Sequence, residues 1–391
     1  MDISVILPTK DLEHSAASVL LALSHQTLKP AEIIIIDSSK SQKIKALAKE
    51  FSQKLNIVYF FSSSGLYPGE ARNKGIELAK YEAIAFIDSK TIPSKTWLEK
   101  SANQLVNGNY DVIFGSTLYK ANTKLQKIFQ ASIYGIKPVV TTPGSLLSKT
   151  VMKKIGNFVE DVRASEDQEW KNRIYEKNIL YGIPTKPNLE YSSISKSLYV
   201  ELKRNFIYQL HTAKTDAQTN AKIFIFGIFI TLLTLLAPSW NLLIGWKASF
   251  LYIPNVTKIY LSLMIIIFGI LLVFYQKKIK QVLLRFIIVA IGIATFYIVY
   301  RWNGQISKSI DFIIYFPHIT KIYILSLLLS GFIYRGLISP INKGTEIKLL
   351  FPFWWLKIGF ICLMVDLIKL PGYIFGAVTA LYRMIISAIK V

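Results

Sequence analysis

The chain has 391 residues, of which 52% are hydrophobic and 13% aromatic, and a formal net charge of +22. That length holds two or more domains, and the apolar content is high for a soluble protein. A single cysteine, Cys362, excludes a disulfide framework or cysteine metal cluster, and His14, His25, His211 and His318 lack ligand spacing.

The opening residues M-D-I-S-V-I-L-P have neither a basic n-region nor a long apolar run, so no secretory signal is expected. Over 1–115, short β-rich runs at 3–7, 32–36, 56–60, 83–87 and 111–114 alternate with helical stretches at 12–26, 41–52, 69–80 and 95–106. Such alternation predicts a mostly parallel α/β sheet with helices on both faces. Ligands of these sheets bind past the carboxyl ends of the strands, which selects Pro8, Thr9, Asp37 and the segment Asp88 to Lys90.

Asp37 ends a strand of four isoleucines; its carboxylate suits a nucleobase N–H, or caps its own turn with Ser38 and Ser39. Arg72 shares a helix face with Gly75, Ile76 and Ala79, so its guanidinium either snorkels outward or meets a ligand at the sheet edge. P-G-S-L-L at 143–147 reads as a turn. In A-S-E-D-Q-E-W, Ser165 and Gln168 form a capping box, and the helix dipole keeps the acids of the first turn ionised. Trp170 follows on that helix, as a pocket wall or as core.

Residues 196–220 hold Leu198, Leu202, Phe206 and Leu210 at steps of four with Lys203 and Arg204 between them, the pattern of an interfacial amphipathic helix or of a helix packed on the sheet. Beyond it the charge changes character: 221–391 carries three acids, Asp311, Glu346 and Asp366, against seventeen Lys and Arg. Apolar runs at 223–246 and 259–276 lack charge altogether and are long enough to span ~30 Å of hydrocarbon; weaker candidates lie at 282–300 and 319–338. Four spans are expected within 221–348. Lys277, Lys278, Lys280 and Arg285, then Arg335, Lys343 and Lys348, fall on one side, which the positive-inside bias makes cytosolic. Lipid headgroups explain the basic excess more simply than nucleic acid. Pro371 and the aromatic content of 349–391 suggest interfacial helices or a re-entrant hairpin.

The pieces V-I-L-P-T, I-I-I-I-D-S-S, G-E-A-R-N-K-G-I-E-L-A, A-F-I-D-S-K-T-I-P-S-K-T-W-L, P-G-S-L-L and A-S-E-D-Q-E-W, in that order over residues 1 to about 180, resemble the family-2 glycosyltransferases. The resemblance implies a GT-A fold over 1–195 and inverting transfer of a sugar from a nucleotide sugar. It implies that Pro8, Thr9, Asp37, Arg72 and Asp88 bind the donor, with Mg²⁺ or Mn²⁺ held by a D-x-D motif. It makes Asp167 of the Glu166–Asp167 pair the base, and puts Gly144, Ser145 and Trp170 beside the acceptor or sugar. The Q-x-x-R-W signature of processive synthases is missing, which implies single transfers.

One position departs from the family. Asp88 fills the first place of D-x-D, whereas Lys90 fills the last, and an ammonium repels a metal rather than binding it. Three arrangements follow: Lys90 replaces the ion as a fixed cation facing the diphosphate, a metal recruits another ligand beside Asp88, or the domain binds without catalysis. The sequence expectation is a bacterial inner-membrane enzyme with a cytosolic catalytic domain and a lipid-linked polyprenyl acceptor. The alternative is a non-catalytic module that binds a nucleotide sugar or a partner enzyme.

Overall fold

The computed structural model describes residues 1–215 and 319–389, with Ala217 and the pieces 240–241, 252–256 and 259 between them. The chain forms two units, Met1–Gln218 with Phe332–Val391, and Thr219–Gly331.

The first unit is built on a sheet of strands β1 (Ile3–Thr9), β2 (Glu32–Asp37), β3 (Ile57–Phe61), β4 (Ala83–Phe86), β5 (Thr91–Pro93), β6 (Val112–Tyr119), β7 (Val139–Ser148), β8 (Tyr181–Gly182) and β9 (Leu189–Tyr191). Their order is β3-β2-β1-β4-β7-β6-β9-β5, with β8 beside β6. The first four strands are parallel, as the alternation predicts. The rest is mixed: β7 runs antiparallel to both β4 and β6, and β9 antiparallel to β5. The expected mostly parallel sheet is therefore found, with its antiparallel pairs gathered at β7 and at β5–β9. P-G-S-L-L is not a turn but the interior of β7, where Gly144 takes φ +89° and packs against Gly115 and Leu189. A Cβ there would come within 2.4 Å of Leu189, so a β-strand and a glycine signal coexist at this place.

Eight helices pair with these strands: α1 (Glu13–Ser24), α2 (Lys43–Phe51), α3 (Pro68–Leu78), α4 (Trp97–Asn107), α5 (Lys124–Phe129, extended by a π turn to Tyr134), α6 (Lys149–Ile155), α7 (Glu166–Glu176) and α8 (Leu198–Thr212). β2 is buried along its whole length because α1 and α2 cover one face of the sheet and α3, α6 and α7 the other. Each fully buried isoleucine there contributes about 1.5–3 kcal/mol. Trp170 is fully buried in the second layer, stacked on Phe158 at 5.0 Å and edge-on to Phe86 and Phe114. It is core, the second of the two places expected for it, and not part of a pocket wall.

The tail is one helix, α10 (Trp354–Ile389), which runs through Pro371 without a reversal; this corrects the re-entrant hairpin. Preceding it, α9 (Ile319–Ile333) continues into a π turn at Tyr334–Ile338, where the fourth expected span lies. The other three expected spans fall outside the described residues. Among the described residues one helical stretch, Trp354–Ala380, is long and apolar enough to cross a membrane. Ile358, Ile361, Cys362 and Val365 of α10 nevertheless pack on Ile128, Phe129 and Ala131 of α5 and its π turn. Two turns further on, Gly372 and Gly376 press against the Phe206 and Leu210 carbonyls of α8, where added Cβ atoms would come within 2.7 and 2.2 Å. This small-xxx-small spacing is what lets the two helix backbones approach.

α8 is consequently not a free surface helix. Its stripe of leucines and Phe206 faces α10, while Glu201, Asn205, Gln209 and Thr212, spaced by four, four and three, are buried, with Glu201 bonded to Tyr134, Thr212 to Ser165, and Gln209 against Gly372 of α10. In the second unit, Asn241 exchanges side-chain hydrogen bonds with the backbone of Ile253, at 2.8 and 3.1 Å.

Candidate active site

α3 brings the first group. Gly75 sits over Ile6 so closely that a Cβ would be 2.4 Å from its Cγ2, which seats the helix on β1 and drives Arg72 in at the sheet's carboxyl edge. Asn73, the next residue, grips Phe158 through two 2.9 Å hydrogen bonds and so fixes the segment leading to α7. Arg72, only 3% exposed, donates to Asp88 Oδ1 and to Glu166 Oε1, both at 2.8 Å. Burial opposes its charge, but Asp88, Glu166 and Asp167 outweigh it and hold the guanidinium firmly protonated. Burial pushes the Glu166 carboxyl above its usual range while Arg72 pulls the other way. Two buried atoms here lack a partner, Arg72 Nε and Glu166 Oε2.

α7 supplies the acid pair. Ser165, at its N-cap, has φ +73° and does not make the expected capping box; its hydroxyl is hydrogen-bonded to Thr212 of α8 instead. That left-handed residue turns the chain so that Glu166 points inward and Asp167 stays half-exposed. Asp167 Oδ1 accepts from the Gln168 N–H at 2.8 Å, and the Thr142 hydroxyl of β7 reaches its carbonyl at 3.3 Å. Lys171 is half-buried, and the burial loosens its proton while Asp167 works against this.

Lys90 lies in the turn between β4 and β5. Its pKa falls below the ordinary lysine value because of burial first and then the neighbouring Arg204 and Arg163, with Asp88 opposing. Tyrosines close this side. Tyr191 is the register partner of Thr91, Tyr119 lies 5.1 Å from it, and Tyr134 stacks on Tyr119 at 4.9 Å. Burial pushes the Tyr191 phenol up to about 12.

The strand ends hold the remaining expected residues. Pro8 and Thr9 lie at the end of β1, in register with Ile36 and Asp37. Asp37 is fully buried, accepting from the Ser39 N–H and the Tyr59 hydroxyl at 2.8 Å each, which is the turn-capping arrangement. The hydroxyls of Thr9 and Ser38 beside it are buried and unpartnered. Gly144 and Ser145 belong to the sheet interior: Gly144 O accepts from Trp97 Nε1 at 2.9 Å, and the Ser145 hydroxyl donates to Thr141 O at 3.3 Å. The structure thus gathers Arg72, Asp88, Lys90, Glu166 and Asp167 into one charged cluster and leaves Gly144, Ser145 and Trp170 out of it.

The donor set is a poor match for Mg²⁺ or Mn²⁺. Asp88 offers one carboxylate, already paired with Arg72, and Lys90 stands where the second should be. Among the described residues no three His, Cys, Asp or Glu side chains gather to hold a metal. Sequence reasoning missed Asn73, Tyr119, Tyr134, Arg163 and Arg204. One signal was available: the stripe at 201, 205, 209 and 212 is polar but mostly uncharged, unlike a solvated helix face.

A parallel half-sheet with acids at its strand ends, joined to a mixed half that presents an E-D pair, defines a GT-A transferase domain. Residues 4–158 match the family model of glycosyl transferase family 2, and the N-terminal domain is a family 2 glycosyltransferase domain. An uncharacterized glycosyltransferase of Methanocaldococcus jannaschii is 24% identical over 257 residues, 60% of this chain and 87% of that protein. A chondroitin synthase of Escherichia coli is 26% identical over 157 residues, 39% of this chain and 23% of its own. The chain spans 60% of glycosyltransferase AglE of Haloferax volcanii. A crystal structure of S. aureus TarS with UDP-GlcNAc aligns with a TM-score of 0.41 and 18% identity, over 64% of this chain and 77% of that one. The assignment rests on the family match and the topology, not on that likeness.

Proposed function

We propose that this chain transfers one sugar, with inversion, from a nucleotide sugar to a lipid-linked polyprenyl acceptor, without a metal ion. The observation that carries the reading is the pairing of a hydrogen-bonded Glu166–Arg72–Asp88 bridge, buried at Glu166 and Arg72, with an adjacent, accessible Asp167. Glu166 serves as a positioning residue that holds Arg72, and Asp167 is left to act as base. The acceptor oxygen attacks the anomeric carbon from the face opposite the leaving group and its proton passes to Asp167. The bond from anomeric carbon to diphosphate oxygen breaks, and the nucleoside diphosphate leaves with the electron pair. Lys90 faces that developing charge as a fixed cation, the role an ion would otherwise fill. Thr9 and Ser38, with unpartnered buried hydroxyls, are suited to the nucleoside end.

The lipid acceptor is supported by α10. It is packed on the catalytic domain from Ile358 to Gly376, so it lies along that domain, while Leu356, Phe360, Leu367, Phe375 and Val378 remain exposed. An apolar outer stripe on a helix docked on α5 and α8 suits the plane of a membrane surface, here the cytosolic face of a bacterial inner membrane. Purified full-length protein in detergent, given UDP-, GDP- and dTDP-sugars with polyprenyl lipids, should release nucleotide equally in Mn²⁺ and in EDTA. Turnover that requires Mn²⁺ overturns the metal-free mechanism. Binding without turnover across the panel favours the non-catalytic module.

A further inference from the structure

α8 binds the head of α7 through one pair of buried side chains. The Thr212 hydroxyl donates to the Tyr208 carbonyl at 2.7 Å, so its oxygen is left to accept, and the Ser165 hydroxyl donates to it. The relay runs from Ser165 through Thr212 into the last turn of α8, and it starts two residues before Asp167.

Ser165 gives up two things to make this bond. A serine at a helix N-cap ordinarily accepts from an N–H of the first turn, and Ser165 makes no such bond. Its backbone is left-handed, at φ +73° and ψ 5°, a conformation that glycine takes freely and a residue with a side chain does not. What serine adds over glycine at this place is its hydroxyl, and the hydroxyl is spent on Thr212. Left-handed residues that their surroundings hold in place collect at functional sites. Here the turn decides how the next two side chains leave the backbone, Glu166 inward to Arg72 and Asp167 to a half-exposed position. The Asp167 carboxylate accepts from the Gln168 N–H of its own helix, so its direction follows the backbone of that turn.

α8 is itself held from several sides. Gly376 of α10 lies against the Leu210 carbonyl and the Ala213 side chain, which flank Thr212. The His211 ring meets Tyr67 edge-on at 5.6 Å, and at the other end of the helix Glu201 binds the Tyr134 hydroxyl and Arg204. A helix fixed in this way can act as a reference against which the head of α7 is set.

We propose that Ser165 and Thr212 are positioning residues for Asp167, through which α8 sets the direction of the carboxylate. The inference rests on Asp167 being the base of a sugar transfer.

The test uses the full-length protein in detergent with UDP-, GDP- and dTDP-sugars and polyprenyl lipids. Thr212→Val keeps the shape of the side chain and removes the hydroxyl; it should lower kcat about ten- to a hundredfold, the scale of a misplaced catalytic group, with KM for the nucleotide sugar unchanged. Ser165→Gly should give the same loss in a protein that folds, since glycine takes the left-handed backbone freely. Thr212→Ser, which keeps the hydroxyl, should recover most of the turnover. In an Asp167→Asn background Thr212→Val and Ser165→Gly should cost nothing further, a result that general loosening of the fold does not reproduce. A second readout needs no turnover. Asp167→Cys places a thiol at the same position, and the chain's one native cysteine, Cys362, is buried, so labelling by a maleimide follows the new thiol. Adding Thr212→Val or Ser165→Gly should change that labelling rate severalfold. A labelling rate that neither substitution alters, or wild-type kcat in both, overturns the positioning pair. Full turnover in Asp167→Asn overturns the base reading instead, whereas altered labelling in a protein without turnover leaves the pair standing and removes only its catalytic meaning.

Discussion

The acids and cations of this site divide into a closed half and an open half. In the closed half, Glu166 and Arg72 are almost fully buried and bonded to each other. In the open half, Asp167 and Lys90 are half-exposed, and burial, then Arg204 and Arg163, disfavours the Lys90 charge while Asp88 favours it. The difference between residues 166 and 167 comes from one step along a helix, which turns successive side chains by about 100°. The comparison teaches that adjacent, similar residues have separate duties: the closed half holds the scaffold in shape, and the open half keeps charge uncompensated until a ligand supplies the complement.

The sharpest way to test that division is to disable each half and read both turnover and stability. Asp167→Asn should cut lipid-dependent turnover about 10²- to 10⁴-fold, the usual worth of a general base, while the melting temperature stays where it is. A collapse in stability would move Asp167 into the scaffold. Arg72→Met should do the opposite first: it strands Glu166 as a buried, unpaired acid, at a cost of about 3–5 kcal/mol to the fold. Denaturant unfolding of the variant checks this, and an unchanged midpoint would show that the bridge does not hold the site together. Smaller still is the effect of Lys90→Met on stability, and its sign is the point. Removing an uncompensated, half-buried cation should raise the melting temperature by about 2–4 °C per kcal/mol relieved, while turnover falls. A melting temperature that drops would place Lys90 with the scaffold.

How far these halves could be read from sequence depended on the range of the contacts. The parallel half of the sheet was legible because each strand and its following helix are local, and runs such as E-I-I-I-I-D announce a strand buried on both faces. The mixed half was not. P-G at 143–144 is turn chemistry by local rules, yet the close approach of Gly115 makes it strand. The acid pair and Arg72 were legible as motif, but their division of labour depends on burial, which a motif does not carry. α8 was misjudged for a related reason. Its apolar stripe was seen correctly, but the partner of that stripe is α10, some 160 residues later, and the polar stripe behind it therefore turns inward rather than to solvent. Arg204 and the tyrosines around it became visible only once that long-range packing was known.

The last prediction concerns the charge of Lys90 itself and isolates it from its bulk. Burial, followed by Arg204 and Arg163, sets its folded-state pKa below the ordinary lysine value. Between the lowered value and the ordinary one the unfolded chain binds more protons than the folded chain, so stability rises with pH across that window. Below the window the charge is fully present in both states and its penalty is complete. The thermal advantage of Lys90→Met over wild type should accordingly be full at neutral pH and shrink as pH climbs toward the ordinary lysine range. Melting curves of both proteins at steps from neutral pH upward measure the gap directly, and other titrating groups cancel in the difference. A gap that stays constant would mean that the methionine stabilises by packing alone, and that the open half is not held in electrostatic tension.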